Sequence, residues 1–274
     1  MVEIAGFTDD DGNGTVDDSV AMDAAIDAAA TARCRTSPNP WVGSVVMVDG
    51  RIVGTGATRP PGGPHAERVA MEAAAANGGS IDGATLVTTL EPCHHEGRTG
   101  PCTEAIVAAG VARVVVAVED PDPQVAGQGI ARLREVGLEV VVGVRADEVA
   151  EQLAPYLHHR RTGRPLVVLK MATTVDGRIA APDGSSRWIT GPEARADVHR
   201  MRAESDAVCV GSGTVRADDP RLDVRDWPAA AAMESTDPRR IVLGAIPADA
   251  QVLPAEEHHG DLGALLDRLG SEGV

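Results

Sequence analysis

The sequence predicts an α/β protein built as two successive domains, the first a sheet covered by helices on both faces. Three observations carry that expectation. Strand-like and helix-like segments alternate along most of the chain, the pattern of sheets packed between helices. The alternation ends after residue 147 and restarts with a new apolar run beyond the turn at 162–165. The length of 274 residues, 43% of them apolar, is enough for two cores. The expected domains are therefore residues 1–147 and 148–274.

The first helix is read over 18–32, an alanine-rich run. Residues 41–48 and 51–57 form a β-hairpin, because Asp49-Gly50 is the dipeptide that a two-residue turn prefers. A helix over 64–76, a strand over 84–90, a helix over 101–110, a strand over 112–119, a helix over 129–137 and a strand over 139–144 complete the first alternation. A single helix over 146–161 then leads to the turn, and a strand over 165–171 opens the second domain. A helix over 191–204 and strands over 206–211 and 239–244 continue it. The acidic, proline-bearing stretch around 226–238 reads as a surface loop.

Composition narrows the function before any motif does. A net charge of -16 argues against nucleic acid or an anionic membrane as the default partner, so a phosphorylated ligand would need a locally basic pocket. No stretch has the length of a membrane span, and the N-terminus lacks the order of a secretion signal, which points to the cytoplasm. Four cysteines make a thin disulfide framework, and metal ligation or burial is the better use for them there. Aromatic residues are only 2%, so Leu, Val, Ile, Ala and Met must fill the core. The oligomeric state is open, a homo-oligomer included.

The chemistry concentrates in Pro64-His65-Ala66-Glu67, Pro92-Cys93 and Pro101-Cys102. A catalytic zinc takes three nitrogen or sulfur ligands and keeps one position for water, and His65, Cys93 and Cys102 supply that count. A cysteine at a helix N-terminus has its thiolate stabilised by unpaired amides and the helix dipole. Glu67 follows the histidine by two residues, where it can lie beside the metal without ligating it and move protons. Such a site fits hydrolytic deamination, in which water replaces an amino group on a ring carbon and Glu67 shuttles the protons. Taken singly the pieces say little: His-Ala-Glu is a chance tripeptide, and the two cysteines fit buried thiols or a structural zinc knuckle with His94 or His95 as fourth ligand.

The run Asn39-Pro40-Trp41-Val42-Gly43, then His65-Ala66-Glu67, the stretch from Pro92 to Cys102 and the stretch from Asp120 to Gly129 occur in order over most of 18–147. Together they resemble the bifunctional riboflavin-biosynthesis deaminase-reductases, whose first domain has the cytidine-deaminase-like α/β/α fold. The resemblance implies a diamino-hydroxy-phosphoribosylaminopyrimidine as substrate and the aminouracil as product. It implies His65, Cys93 and Cys102 as zinc ligands, Glu67 as proton donor, Asn39 against the pyrimidine, and His95, Arg98 and Thr99 against phosphate or ribose. One departure is Thr58, where the family often has a histidine.

The second half is similar to the same family's dihydrofolate-reductase-like domain, through the stretches 170–177, 186–191, 206–208 and 211–220. The resemblance implies NADPH against Ala172, Trp188, Thr214 and Asp218, and substrate against Ser186, Arg202, Leu222 and Arg225. The family's late strand and Gly-rich loop have no counterpart before Val274, so a shortened reductase domain with weak activity is expected. Two other classes compete with this reading: a zinc deaminase of another base or nucleoside, and a non-catalytic zinc-stabilised binding protein. Asp9, Asp11 and Asn13 begin like a calcium loop, but Val20 stands where a bidentate carboxylate is needed, and a solvated acidic leader is the better expectation.

Overall fold

A computed structural model describes residues 16–96, 100–225, 227 and 237–274. The calcium-like stretch beginning at Asp9, and the proposed ligand contacts Arg98 and Thr99, lie outside the described residues. The chain divides into two compact units at Gly163 and Arg164.

In the first unit the elements run α1 (Asp18–Ala30), β1 (Gly43–Val48), β2 (Arg51–Ala57), α2 (Ala66–Ala76), β3 (Thr85–Leu90), α3 (Cys102–Ala108), β4 (Arg113–Val118), α4 (Gln128–Glu135), β5 (Glu139–Val142), α5 (Ala146–Gln152) and α6 (Ala154–Thr162). The five strands form one mixed sheet in the order β2-β1-β3-β4-β5. β1 is antiparallel to both β2 and β3, whereas β3, β4 and β5 run parallel. The hairpin turns at Asp49 and Gly50, which have φ of 50° and 70°, the left-handed conformation that a tight two-residue turn demands.

The period of two along each strand divides the core into two layers. Val45, Val87 and Val115 point to one face, where α1, α5 and α6 contribute Met22, Val149, Leu153 and Leu157. Val46, Leu86, Val114 and Val116 point to the other, where α2, α3 and α4 contribute Met71, Ile106, Ile130 and Leu133. The three-layer α/β/α expectation therefore holds. The close fit of α2 depends on β2: a Cβ added at Gly56 would come within 2.3 Å of the Ala70 backbone nitrogen and 2.5 Å of the Ala66 carbonyl oxygen.

Two boundaries differ from the sequence reading. The helix expected over 146–161 is two helices, because Pro155 stands in the first turn of α6, where it can begin a helix but not continue one. Both helices belong to the first unit, since Val149, Leu153, Tyr156 and Leu157 are part of its core. The first unit thus runs sixteen residues beyond the boundary read at 147.

The second unit contains α7 (Pro192–Ala203), β6 (Ala207–Gly211), α8 (Ser212–Asp218), β7 (Arg239–Leu243), β8 (Glu256–His258) and α9 (Leu262–Ser271). Its strands make a parallel sheet in the order β6-β7-β8. Val215, Leu222, Val242 and Val252 pack in one cluster, and Ile241, Leu265 and Leu269 in another. The strand expected over 165–171 does not form. No strand among the described residues pairs with that stretch, and Val167, Val168 and Leu169 are 64%, 66% and 82% exposed.

Candidate active site

The first site is assembled by three chain segments that end or begin at the sheet. His65 is the residue immediately before α2, with extended backbone, and Cys102 is the first residue of α3. Cys93 follows β3 by three residues. The His65 Nδ1 lies 3.5 Å from the Cys93 Sγ and 3.4 Å from the Cys102 Sγ, and all three donor atoms fall within 4.8 Å of one another. The Cys102 backbone N–H points at the Cys93 sulfur, 3.4 Å away, while the Thr103 N–H donates to the Cys93 carbonyl at 3.2 Å. One imidazole nitrogen and two buried sulfurs at this spacing are the donor set that zinc favours.

Burial and charge set the protonation of the group. The Cys93 thiol is shifted down, first by the hydrogen bond from the Cys102 thiol and then by His65. Cys102 is shifted up by that same bond, by burial and by the nearby Glu67 carboxylate. His65 is shifted up, chiefly by its hydrogen bond with Cys93. Glu67 is only 3% exposed, and desolvation followed by the repulsion of Cys93 pushes its carboxyl above the ordinary range. A buried carboxyl shifted upward beside a metal-binding set is suited to taking up and returning protons.

The alternative fourth ligands are otherwise placed. His94 Nδ1 is 2.9 Å from the Thr103 hydroxyl, and His95 is exposed. Among the described residues the metal-binding group comprises His65, Cys93 and Cys102, a three-ligand set that leaves a position for water or substrate.

Asn39 is half-buried in the loop between α1 and β1, its backbone N–H donating to the Thr36 carbonyl at 2.7 Å. Thr58 is buried, and its hydroxyl accepts from the Val42 N–H at 3.1 Å and faces the Val42 carbonyl at 3.3 Å. The threonine thus ties the end of the Asn39-Pro40-Trp41-Val42 segment to the end of β2.

Several residues of this region escaped the sequence reading. Glu91 is 4% exposed, and its carboxylate accepts the backbone N–H groups of Asp120 at 3.1 Å, Gly127 at 3.0 Å and Ile130 at 3.1 Å. It thereby holds the loop 120–127 and the start of α4 against the segment that carries Cys93. A Cβ at Gly129 would meet the Pro92 carbonyl oxygen at 2.0 Å, so the contact is made backbone to backbone. The buried Asp120 carboxylate is in turn held by the Tyr156 hydroxyl at 3.0 Å. The glutamate before Pro92-Cys93 was visible, but its partners lie 29 to 39 residues away.

In the second unit, Thr214 and Asp218 are exposed on α8, and Arg187 donates to the Asp218 carbonyl at 3.0 Å. That bond brings the stretch bearing half-buried Ser186 and Trp188 to the same helix. Trp188 is exposed, with the Arg195 guanidinium 4.5 Å over its ring. Ala172 stands half-buried just beyond the stretch 165–171. The Arg202 guanidinium donates to the Asp223 carbonyl at 3.2 Å, and the Arg225 N–H points to the ring of buried His199 at 3.1 Å. Burial, and then the proximity of Arg225, shifts Arg202 down. Arg202 of α7 is therefore tied to the segment that carries Leu222 and Arg225, with His199 of the same helix as a support that the sequence did not single out.

A mixed sheet between two helical layers, with a histidine and a cysteine at its helix starts, a second cysteine in the loop after β3 and a buried glutamate beside them, defines a zinc deaminase of the cytidine-deaminase class. Residues 15–118 match the family of the cytidine and deoxycytidylate deaminase zinc-binding region, and residues 165–259 match the RibD C-terminal domain. The chain is 48% identical over 240 residues to the riboflavin biosynthesis protein RibD of Mycobacterium tuberculosis, covering 86% of this chain and 69% of that relative. It superposes with a TM-score of 0.83 and 36% identity on a Thermotoga maritima diaminohydroxyphosphoribosylaminopyrimidine deaminase/5-amino-6-(5-phosphoribosylamino)uracil reductase, over 94% of this chain and 78% of that one. Acinetobacter baumannii RibD gives a TM-score of 0.84 and 38% identity, over 93% and 77%. The chain belongs to the RibD family of riboflavin biosynthesis, with a zinc-binding deaminase domain followed by a reductase domain of the NADPH-binding type.

Proposed function

We propose that this chain hydrolytically deaminates 2,5-diamino-6-(5-phosphoribosylamino)pyrimidin-4-one to the corresponding aminouracil. The observation that carries the reading is the convergence of His65, Cys93 and Cys102 beside the buried Glu67. His65, Cys93 and Cys102 would hold zinc, which when bound supplies a Lewis acid that acidifies a water. Glu67 accepts a proton from the attacking water and returns protons to the ring nitrogen and to the departing ammonia. One C–N bond is broken and one C–O bond formed, with no change in oxidation state. Asn39 is assigned to the pyrimidine, and His95, Arg98 and Thr99 to the phosphate and ribose.

The second unit is assigned the reduction of the ribosyl chain. Ala172, Trp188, Thr214 and Asp218 would bind NADPH, which when bound supplies hydride. Arg202 and Arg225, gathered near Asp223, suit a substrate phosphate, and Ser186 and Leu222 are assigned to the same substrate. The reactions are placed in the cytoplasm, where thiols are kept reduced. No helix among the described residues is long and apolar enough to cross a membrane.

The test of the deaminase assignment is Glu67→Gln in the full chain, with ammonia release and zinc content both measured. The variant is expected to retain zinc and lose about a hundredfold to ten-thousandfold in rate, the range for a general acid-base group. Turnover at the wild-type rate would remove Glu67 from the chemistry.

A further inference from the structure

The two halves of the metal site are carried by different helices. His65 and Glu67 belong to the start of α2, and Cys102 to the start of α3. Their relative placement therefore depends on something that joins the two helix starts. Pro101, the residue before α3, makes no side-chain capping bond, and as a proline it has no N–H with which to anchor the segment.

Arg68 supplies the join. It sits in the first turn of α2, one residue beyond Glu67, and its Nη2 donates to the Gly100 carbonyl at 2.9 Å and faces the Pro101 carbonyl at 3.4 Å. These are the two residues that lead directly into Cys102. The side chain is partly covered and its Nε is buried, so the guanidinium is confined rather than free in solvent. One nitrogen of a permanently charged guanidinium thus faces two successive carbonyls, and the charge strengthens the bond it donates.

We propose that Arg68 is a positioning residue for the metal centre, tying the Gly100-Pro101 backbone to α2 and so setting Cys102 against His65 and Glu67. The inference rests on the zinc reading above. It extends that reading to a residue outside the metal-binding group. Residues that orient metal ligands from behind change metal affinity or activity by about ten- to hundredfold when lost. Arg68 belongs with them by geometry.

The experiment is zinc release from the intact, zinc-loaded chain to a chromogenic chelator, comparing wild type with Arg68→Met and Arg68→Lys. Methionine keeps much of the stem but none of the donors, and lysine keeps a charged donor on a shorter, more flexible stem. Arg68→Met is expected to release zinc about tenfold to a hundredfold faster, with Arg68→Lys between it and wild type. The metal-free forms should melt together, since the effect is on the ligand set and not on the core. Release at the wild-type rate in Arg68→Met would overturn the proposal. So would faster release matched by an equally weakened metal-free fold, which would make Arg68 a folding contact only. Should Arg68→Met not fold, Arg68→Lys decides alone, and a wild-type rate there rejects the proposal. A wild-type chain that binds no zinc would overturn the metal reading itself, and this inference with it.

Discussion

Glu91 shows how much of the site is held by a residue that does no chemistry. Its carboxylate takes three backbone N–H groups from the loop 120–127 and the start of α4, in a buried place where each would otherwise lack a partner. Hydrogen bonds to a charged acceptor contribute about 1.5–3 kcal/mol each, and a buried donor left unpaired costs a comparable amount. Glu91→Gln keeps the shape but turns an NH2 toward some of those donors. We expect it to lower stability by on the order of 2 kcal/mol, read as a shift in the urea midpoint at an unchanged slope. Because Glu91 precedes Pro92-Cys93, zinc release should also quicken. An unchanged midpoint would mean that water replaces the carboxylate at little cost. The three candidate ligands were legible because metal ligation restricts residue type, and Glu67 because it stands two residues after one of them. The supporting roles of Glu91, Asp120 and Tyr156 were not, because their partners meet only after the chain has folded.

At the scale of elements, the same contrast separates the hairpin from the helices that surround it. Asp49-Gly50 announced its turn because the required backbone excludes most other residues. Pro155 could have divided the helix 146–161 on the same reasoning. β8 could not have been read: Glu256, Glu257 and His258 carry no apolar alternation, and the strand exists because β7 lies beside it. α9 left a signal that was overlooked, Asp261 capping the Ala264 N–H at 2.8 Å ahead of Leu265 and Leu269. The strand expected at 165–171 had the composition for one and lacked a neighbour among the described residues. The glycines of β2 give this scale its prediction. Gly56→Ala would press its Cβ into three backbone atoms of α2, which can yield only by moving the helix that carries His65 and Glu67. Overpacking of this kind costs about 1–3 kcal/mol, and small displacements of catalytic groups lower rates steeply. Gly56→Ala should therefore lose both stability and deaminase rate. A fall in stability with the rate per folded molecule intact would show that α2 yields without carrying its first turn along.

For the molecule as a whole, the division into two α/β units was legible from the alternation of elements, while the position of the division was not. α5 and α6 have the same amphipathic character whichever unit they cover, and only the packing of Leu153, Tyr156 and Leu157 assigns them to the first. Contacts of that long range also govern the response to acid. Asp18, at the start of α1, forms a two-pronged ion pair with Arg113 of β4, both bonds at 2.6 Å, and Arg113 reaches Glu139 of β5 at 2.9 Å. The Arg113 hydrogen bonds hold the Asp18 carboxyl below its ordinary value of 3.8, outweighing the opposing effect of burial. A carboxyl whose folded pKa lies below its unfolded one adds stability at every pH above the unfolded value. That stability is lost as pH falls through the folded value. Asp18→Asn should thus be less stable than wild type at pH 7 by on the order of 1 kcal/mol, the scale of a well-formed, partly covered pair. The gap should close as the pH is lowered from 3.8 toward the folded-state value. The difference between the two proteins is the informative quantity, because the zinc ligands also protonate in acid and weaken both alike. Urea unfolding of the two proteins at pH 7 and at about pH 3 measures it. A gap of equal size at both values would show that Asp18 acts through the shape of the helix start, and not through its charge.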